Sequence, residues 1–517
     1  MNQKQPRTLC AHLAVALVPI GAAGCATVDS RPDYDRAVRY VGQAVGDAEL
    51  YRPDSDEVIE QRANSLLGDG LSANDAVHIA LLNNPKLQAT TYRLGISRAD
   101  FVQSGLFTNP TLSFSLRWPD GGGLTNLQAG LAQNIAELWQ ISYRKQAAAH
   151  DLDRTILDVA REASVVAQDA RIAYWRAVRA DRERDLAAEN GTLAQKLVDV
   201  AVSRRDAGAG SDVDVNLARS QQTNAELRLR KATLAAIEAR AGVAKFLGLI
   251  TPPGDLVLVD ALIDPDAWTL SPEQVVSTGM ESRLDVQATK MAVAAASARV
   301  EFERSRFLRS VELGWSAERS ARSSRGGRNL LAETAFASLQ SGQLTPPSLE
   351  PHDERSSEWV IGPEIGAELP IFDQNQAQIA RAEFVHQQAA KLLEALAREL
   401  AQDAHVALQR ARTASDNARF YADTVLPLRE QGLTLAHGAY TAGRTTLLSV
   451  QEAQRLLLEA RSGRIDTLMD YAVAVVELER VAGRTLGDLL EAAAASDGND
   501  AHLPTPTPSS QTAEENP

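Results

Sequence analysis

The sequence predicts a mainly α-helical protein with a membrane β-barrel portion, built from one unit repeated twice. First, the chain repeats itself: Leu71-Ser72-Ala73-Asn74-Asp75-Ala76-Val77 is matched 199 residues later by Leu270-Ser271-Pro272-Glu273-Gln274-Val275-Val276. Second, each copy runs helix, two alternating strands, a very long helix, a glycine-marked turn and another helix. Helix-period and strand-period stretches in one repeated unit rule out a simple coiled-coil rod. Third, no stretch after residue 25 approaches 18 apolar residues. A transmembrane helix is thereby excluded, and any membrane-spanning part must be made of strands.

A chain of 517 residues would ordinarily divide into about three domains, but the repeat argues for two intertwined halves. Aromatic residues are 5% of the chain and alanine is abundant, so helices pack closely through small side chains. The net charge of −14 lacks the basic footprint that a nucleic-acid partner requires. The two cysteines, Cys10 and Cys25, both lie at the N-terminus, which leaves the body without a disulfide or a thiolate metal site.

Residues 1–24 read as a signal peptide. Lys4 and Arg7 form a positive start, and Leu9 to Ile20 is an apolar stretch too short to span a membrane. Ala22-Ala23-Gly24-Cys25 resembles the lipobox of bacterial lipoproteins, with Ala22 standing where leucine is usual. That resemblance implies cleavage before Cys25 and lipidation of its thiol. Ala26, where an aspartate would hold the protein back, implies sorting to the outer membrane. The alternative is an ordinary secretory signal cleaved near Ala23. Residues 25–70, with Pro32 and Pro53, read as a lipidated tether with little regular structure.

The first repeat is predicted over 71–250. Leu71 to about Gly105 is helical, with Ser72 as N-cap, Asp75 in the first turn and a break at Pro85. In Thr111-Leu112-Ser113-Phe114-Ser115-Leu116-Arg117-Trp118 every second residue is apolar, and Leu127, Ala129 and Leu131 continue the pattern after Gly121-Gly122-Gly123. From about Ile141 to Arg205 there is no proline and one glycine. Leu152, Ile156, Val159, Ala163, Val166, Ala170, Ala173 and Ala177 form a heptad seam there. A helix of that length spans roughly 100 Å. It ends at Asp206-Ala207-Gly208-Ala209-Gly210-Ser211, with Ser211 or Asp212 capping the return helix.

The second repeat is predicted over 251–490. Val311, Leu313, Trp315 and Ala317 alternate with polar or small residues, as do Trp359, Ile361, Pro363, Ile365, Ala367, Leu369 and Ile371. A long helix from Gln374 to Tyr440 carries Val385, Ala389, Leu392 and Leu396 at heptad spacing, with a kink or short break at Pro427. Its turn, Tyr440-Thr441-Ala442-Gly443-Arg444-Thr445, is followed by Thr445 or Thr446 as cap. The repeat offset grows from 199 to about 231 across the strands, so the second copy gained about 32 residues near 319–357, where an outer-membrane barrel puts a long extracellular loop. Residues 491–517, ending in Leu503-Pro504-Thr505-Pro506-Thr507-Pro508, read as a disordered tail. A half-buried sheet in a soluble domain is the alternative for the strands. Their length, the tryptophans at strand ends and the lack of further strands argue for an outer-membrane barrel, apolar outward. Four strands cannot close one, so the barrel must be shared between chains.

The lipobox, the duplicated unit, Asn109-Pro110 opening a strand, Glu368-Leu369-Pro370-Ile371-Phe372-Asp373 leaving the last strand, and the Tyr440…Gly443…Leu447-Leu448 tip together resemble the TolC-type outer-membrane efflux protein family, over roughly residues 71–490. Ser104-Gly105-Leu106-Phe107-Thr108-Asn109-Pro110 is similar to its cation-efflux branch. The resemblance implies a homotrimer whose chains each give four strands to a 12-stranded β-barrel, continuous with a periplasmic α-helical barrel. It implies an outer-membrane lipoprotein reaching into the periplasm, and partners in a periplasmic adaptor and an inner-membrane pump. The function implied is the exit duct of a tripartite efflux system for small solutes or metal cations. Other readings are a periplasmic coiled-coil scaffold without channel activity, or the outer-membrane duct of a type I protein secretion system.

A duct needs no catalytic residue or cofactor, only a polar lumen and a gate. Inward acids at the helical tips become rings of charge in a trimer. Asp206, Asp212 and Asp214 are the candidate gate charges, with Arg204, Arg205 and Arg444 as candidate ion partners. Solvated turn charges and helix caps are the plainer alternative. The resemblance also implies adaptor contact at the tips, through Gly208, Gly210, Gly443 and Arg444. His78, His150, His386, His405 and His437 are isolated on helices without metal-ligand spacing. His352-Asp353-Glu354 reads as a solvated loop. No Ser-His-Asp signature, P-loop or dinucleotide fingerprint occurs, and an enzyme is not expected.

Overall fold

The computed structural model describes residues 26–53, 56–68, 70–118, 125–250, 252–324, 330–344 and 354–500. In chain order these form α1 (Arg31–Val45), α2 (Asp56–Leu67), α3 (Ala73–Asn83), α4 (Pro85–Ser104), β1 (Thr111–Arg117), β2 (Asn126–Asn134), α5 (Glu137–Asp206) and α6 (Asp212–Phe246). The second half forms α7 (Pro272–Ser282), α8 (Leu284–Ser305), β3 (Val311–Ser324), α9 (Leu330–Ser341), β4 (Glu354–Ala367), α10 (Gln376–Phe420), α11 (Leu426–Thr441), α12 (Leu447–Ala482) and α13 (Leu486–Asp500). Two units are distinguished: one of residues 1–99, 150–293 and 389–517, the other of 100–149 and 294–388.

In the first unit the duplication is written into the helix ends. Ser72 accepts from the Asp75 amide while the Asp75 carboxylate accepts from the Ser72 amide, and Ser271 with Gln274 repeats this capping box. Both α3 and α7 run 11 residues and stop at an extended residue, Asn84 or Arg283, before the next helix begins. Each corner receives a left-handed glycine from the end of a return helix. At Gly248 (φ 71°) a Cβ would lie 2.5 Å from the Asn83 carbonyl oxygen, and at Gly483 (φ 69°) one would lie 2.8 Å from the Arg283 nitrogen. Only glycine fits a positive φ against backbone this close. This corner-and-glycine pairing went unread in the sequence, although 248 and 483 share the 235-residue offset of the turn glycines.

The heptad seam of α5 is buried or half-buried throughout, and Ala170, Ala177 and Val178 join Leu71, Ile79, Tyr174, Val243 and Met469 in one core. Tyr174 anchors it: its hydroxyl donates to the Leu71 carbonyl at 2.9 Å and accepts from the Asp260 amide at 3.1 Å. Ala404, Leu408 and Ala411 of α10 build the counterpart core with Tyr471 and Leu478.

Two expectations about the chain ends are corrected. Residues 31–45 and 56–67 are helical, not an irregular tether. Pro32 sits in the first turn of α1, where it lacks no bond, and Tyr34, Ala37, Val41 and Ala44 lie at helical spacing on a buried face. Arg98 fixes α1 through two hydrogen bonds to the buried Asp33 carboxylate, at 2.6 and 2.5 Å. At the other end α13 extends to Asp500, so the tail begins with helix. Its alanines favour helix, and Leu489 and Ala493 pack into the core beside Leu478.

In the second unit the strands form one antiparallel meander, β1-β2-β3-β4. Leu112, Leu131, Trp315 and Pro363 lie in one cross-strand row, and Leu313 with Ile365 in the next on the same face. The opposite face carries Ser113, Ser115, Gly130, Gln128, Ser316, Glu318, Glu312 and Glu364. The apolar face is exposed: Phe114 by 64%, Ile365 by 73% and Leu112 by 78%. β4 ends at Ala367, so the alternation read through Ile371 overran it; Leu369, Ile371 and Phe372 follow the strand and are exposed. The insert read as loop over 319–357 is partly strand, because β3 and β4 continue pairing to Ser324 and Glu354, and it contains α9. The Gly121-Gly122-Gly123 turn, His352 and Asp353 lie outside the described residues.

Junctions between strands and helices are fixed by buried polar groups. Glu137 accepts from the Thr108 amide at 2.7 Å. Asn375, buried with φ 64°, donates to the Glu303 carbonyl at 2.7 Å and to its carboxylate at 3.0 Å, while Arg299 pairs with that carboxylate at 2.9 Å. The heptad spacing of Val385, Ala389, Leu392 and Leu396 holds, but Val385 is 47% and Leu392 58% exposed. Heptad spacing marks an apolar stripe without saying which chain covers it.

Candidate functional site

The two glycine turns end their helices by the same motif. Gly208 (φ 72°) donates to the Arg205 carbonyl at 2.9 Å and Ala209 to the Arg204 carbonyl at 2.8 Å; Gly443 (φ 72°) donates to Tyr440 at 3.0 Å and Arg444 to Ala439 at 2.8 Å. This six-to-one, five-to-two pattern satisfies the last helical carbonyls and requires a left-handed residue. A Cβ on Gly210 would lie 3.0 Å from the Arg205 nitrogen and 3.2 Å from the Arg204 carbonyl carbon, so Gly210 is set by close backbone approach. Ser211, not Asp212, caps α6, whereas Thr446 precedes α12 without a side-chain capping bond.

The turns belong to one packed tip. Leu197, Val198 and Ala201 of α5, Val215 and Ala218 of α6, Tyr440 of α11 and Leu447 and Val450 of α12 share an apolar core. Arg204 crosses between the hairpins, donating to the Tyr440 carbonyl at 2.9 Å with its guanidinium 4.6 Å from the ring centroid. Burial pushes the Tyr440 hydroxyl above its ordinary pKa.

The three candidate acids have different surroundings. Asp214 closes the capping box of α6: its carboxylate accepts from the Ser211 amide at 3.1 Å and from the Ser211 hydroxyl at 2.9 Å. Asp206 pairs with Arg205 at 2.7 Å, and Asp212, its side chain 85% exposed, stands 3.7 Å from the same guanidinium. The hydrogen bond from Arg205 to Asp206, with the charge of that carboxylate, raises the guanidinium pKa. Arg444 is exposed on the second turn and has no carboxylate in ion-pair range among the described residues. Cys25 lies outside the described residues. Among the described residues no three His, Cys, Asp or Glu side chains are grouped to hold a metal ion, and no helix is long and apolar enough to cross a membrane.

The sequence profile of the family described as "Outer membrane efflux protein" matches residues 275–484, from α7 through the second tip to the end of α12. The cobalt-zinc-cadmium resistance protein CzcC of Cupriavidus metallidurans is 27% identical over 302 residues, which cover 58% of this chain. The chain is similar to the outer membrane efflux proteins over residues 275–484. The match spans 63% of the length of CzcC. Among solved structures, CusC aligns with a TM-score of 0.60 at 18% identity over 80% of this chain and 92% of its own. CmeC of Campylobacter jejuni aligns at 0.60 and 14% identity over 88% and 92%, and VceC of Vibrio cholerae at 0.59 and 16% over 80% and 96%. The chain therefore shares the fold of these three proteins, mostly helical with a small sheet.

Proposed function

We propose that three copies of this chain form an outer-membrane exit duct, each giving four strands to a shared 12-stranded barrel and its helices to a periplasmic α-barrel. The carrying observation is the four-stranded meander, apolar on one exposed face and polar on the other. Buried against lipid, that face gains about 25 cal/mol per Å² of apolar surface removed from water; left in water it would aggregate. The outer edges of β1 and β4 pair with no other described strand, and edge strands in a membrane must find partners. The exposed Val385 and Leu392 of α10, and Leu227 and Leu234 of α6, supply apolar stripes for neighbouring copies.

The cargo in this reading is a small solute or metal cation, delivered by a periplasmic adaptor at the tips and an inner-membrane pump. The carboxylates of Glu312, Glu318 and Glu364 on the polar strand face favour cations. The name of CzcC, a cobalt-zinc-cadmium resistance protein, supports the metal class. Transport is passive in the duct, so no catalytic group is assigned. A lipid on Cys25 would add a second hold on the membrane.

The test is reconstitution of the detergent-extracted protein into planar bilayers. The duct reading expects stepwise conductance with cations favoured over anions, lowered in selectivity by Glu312→Gln with Glu364→Gln. Protein that folds yet never conducts, alone or with its tip acids neutralised, would leave the periplasmic scaffold as the better reading.

A further inference from the structure

Above the tip, the buried face of the helical hairpins mixes polar side chains with apolar ones. The tip core ends at Leu197 and Val450, and the next core along α5 and α12 begins at Val178 and Met469; in the gap between them Ala194, Leu457, Ala460 and Leu468 are the buried apolar residues of these two helices. In that gap three amide side chains are buried: Asn190 of α5 and Gln451 and Gln454 of α12. Gln454 donates weakly to Asn190 at 3.5 Å, while Gln454 Oε1 and Gln451 Nε2 are buried without a hydrogen-bond partner. Such atoms carry a desolvation cost that is relieved when water reaches them.

Across the same gap the partner helix changes its winding. Between α10 and α11, residues Tyr421–Val425 are wound with i→i+5 hydrogen bonds, the Leu426 amide donating to the Tyr421 carbonyl, and Pro427 follows. A wide turn next to proline is a place where a helix bends. The Tyr421 ring lies on Gly463 of α12, where a Cβ would stand 2.7 Å from the ring edge. Arg461 pairs with Glu189 and Glu430 here at 3.3 Å, and Arg179 with Asp466 at 2.6 Å, all exposed pairs that hold little, while Ser462 donates to Glu183 at 2.7 Å.

We propose that the Tyr421–Gly463 contact and the Asn190–Gln451–Gln454 layer form a joint, across which the paired tips unlock from the bundle as one body. Below the joint the tip core and the Arg204–Tyr440 bridge keep the hairpins together. At the joint, bending exposes amides whose hydrogen bonds are incomplete when it is straight. That the motion opens a gate rests on the exit-duct reading; the joint itself does not.

The experiment is hydrogen exchange by mass spectrometry on the full assembled protein in detergent, paired with bilayer recording. The wild type is expected to exchange faster over 421–425 and 451–463 than over 160–178 and 469–480. Gln451→Leu with Gln454→Leu, which replaces the buried amides by apolar groups, is expected to slow exchange over 421–463 about tenfold without changing 160–178, and to lower the frequency of opening. Gly463→Ala, which displaces the Tyr421 ring, is an independent arm and is expected to speed exchange over 421–425. Uniform protection in the wild type, or an apolar layer that changes nothing, overturns the joint. Exchange that follows these expectations in a protein that never conducts keeps the joint and removes the duct.

Discussion

Arg204 and Tyr440 tie the two hairpin turns together: one guanidinium donates to the Tyr440 carbonyl at 2.9 Å and stacks 4.6 Å from its ring centroid. That carbonyl also accepts from Gly443, so it is bound from its own turn and from the opposite one. Arg204→Lys keeps the charge but loses the planar stack. It is expected to cost about 1 kcal/mol of tip stability, read as faster hydrogen exchange at residues 439–446 with no change at the strands.

Asp212 and Asp214 separate by role. Asp214→Asn is expected to lower stability by about 1 kcal/mol through loss of the capping box, visible as a lower melting temperature. Asp212→Asn, at an exposed side chain, is expected to leave the melting temperature unchanged and to reduce the preference for cations in bilayer recordings. Equal effects on stability would remove the distinction.

The strand faces predict an asymmetry. Ile365→Lys places a charge on the apolar face and is expected to cost about 2–4 kcal/mol if lipid covers it, reducing the assembled form on unheated gels. Ser316→Lys, three rows away on the polar face, is expected to assemble normally.

The second repeat's corner predicts an acid limit. Arg283 donates to both oxygens of Asp285, at 3.0 and 2.6 Å. Burial alone would raise this carboxyl, but those bonds and the guanidinium charge outweigh it and hold its pKa below the ordinary 3.8. A carboxyl depressed in the fold adds stability above its unfolded pKa and loses it as pH falls through the folded one. The thermal stability of the wild type is therefore expected to fall as pH drops below 3.8, and Asp285→Asn to flatten that part of the profile while lowering stability at neutral pH.

Much of this fold was legible because its signals are local and repeated. Ser72 with Asp75 spelled a helix start, Gly208 and Gly443 spelled helix ends, and Leu112, Phe114 and Leu116 spelled a strand with one apolar face. The heptad seam of α5 named its buried side without reference to any partner. What stayed hidden depends on long-range contact. Gly248 and Gly483 are ordinary glycines until the chain brings them onto Asn83 and Arg283. Tyr421 and Gly463 are 42 residues apart in sequence. Helix α1 was readable from Tyr34, Ala37, Val41 and Ala44, but Pro32 read as a breaker where it stands in a first turn. For the candidate site, the sequence gives Asp206, Asp212 and Asp214 as equals; only the hydrogen bonds of Ser211 set Asp214 apart.

In the proposed duct, four strands from each of three chains close one barrel. Electron-microscope imaging of the protein extracted from outer membranes in detergent, with symmetry analysis, tests it most directly. A threefold particle recovered from the outer-membrane fraction is expected. A monomer, or a thin rod of two or four helices recovered from the soluble or inner-membrane fraction, would contradict it.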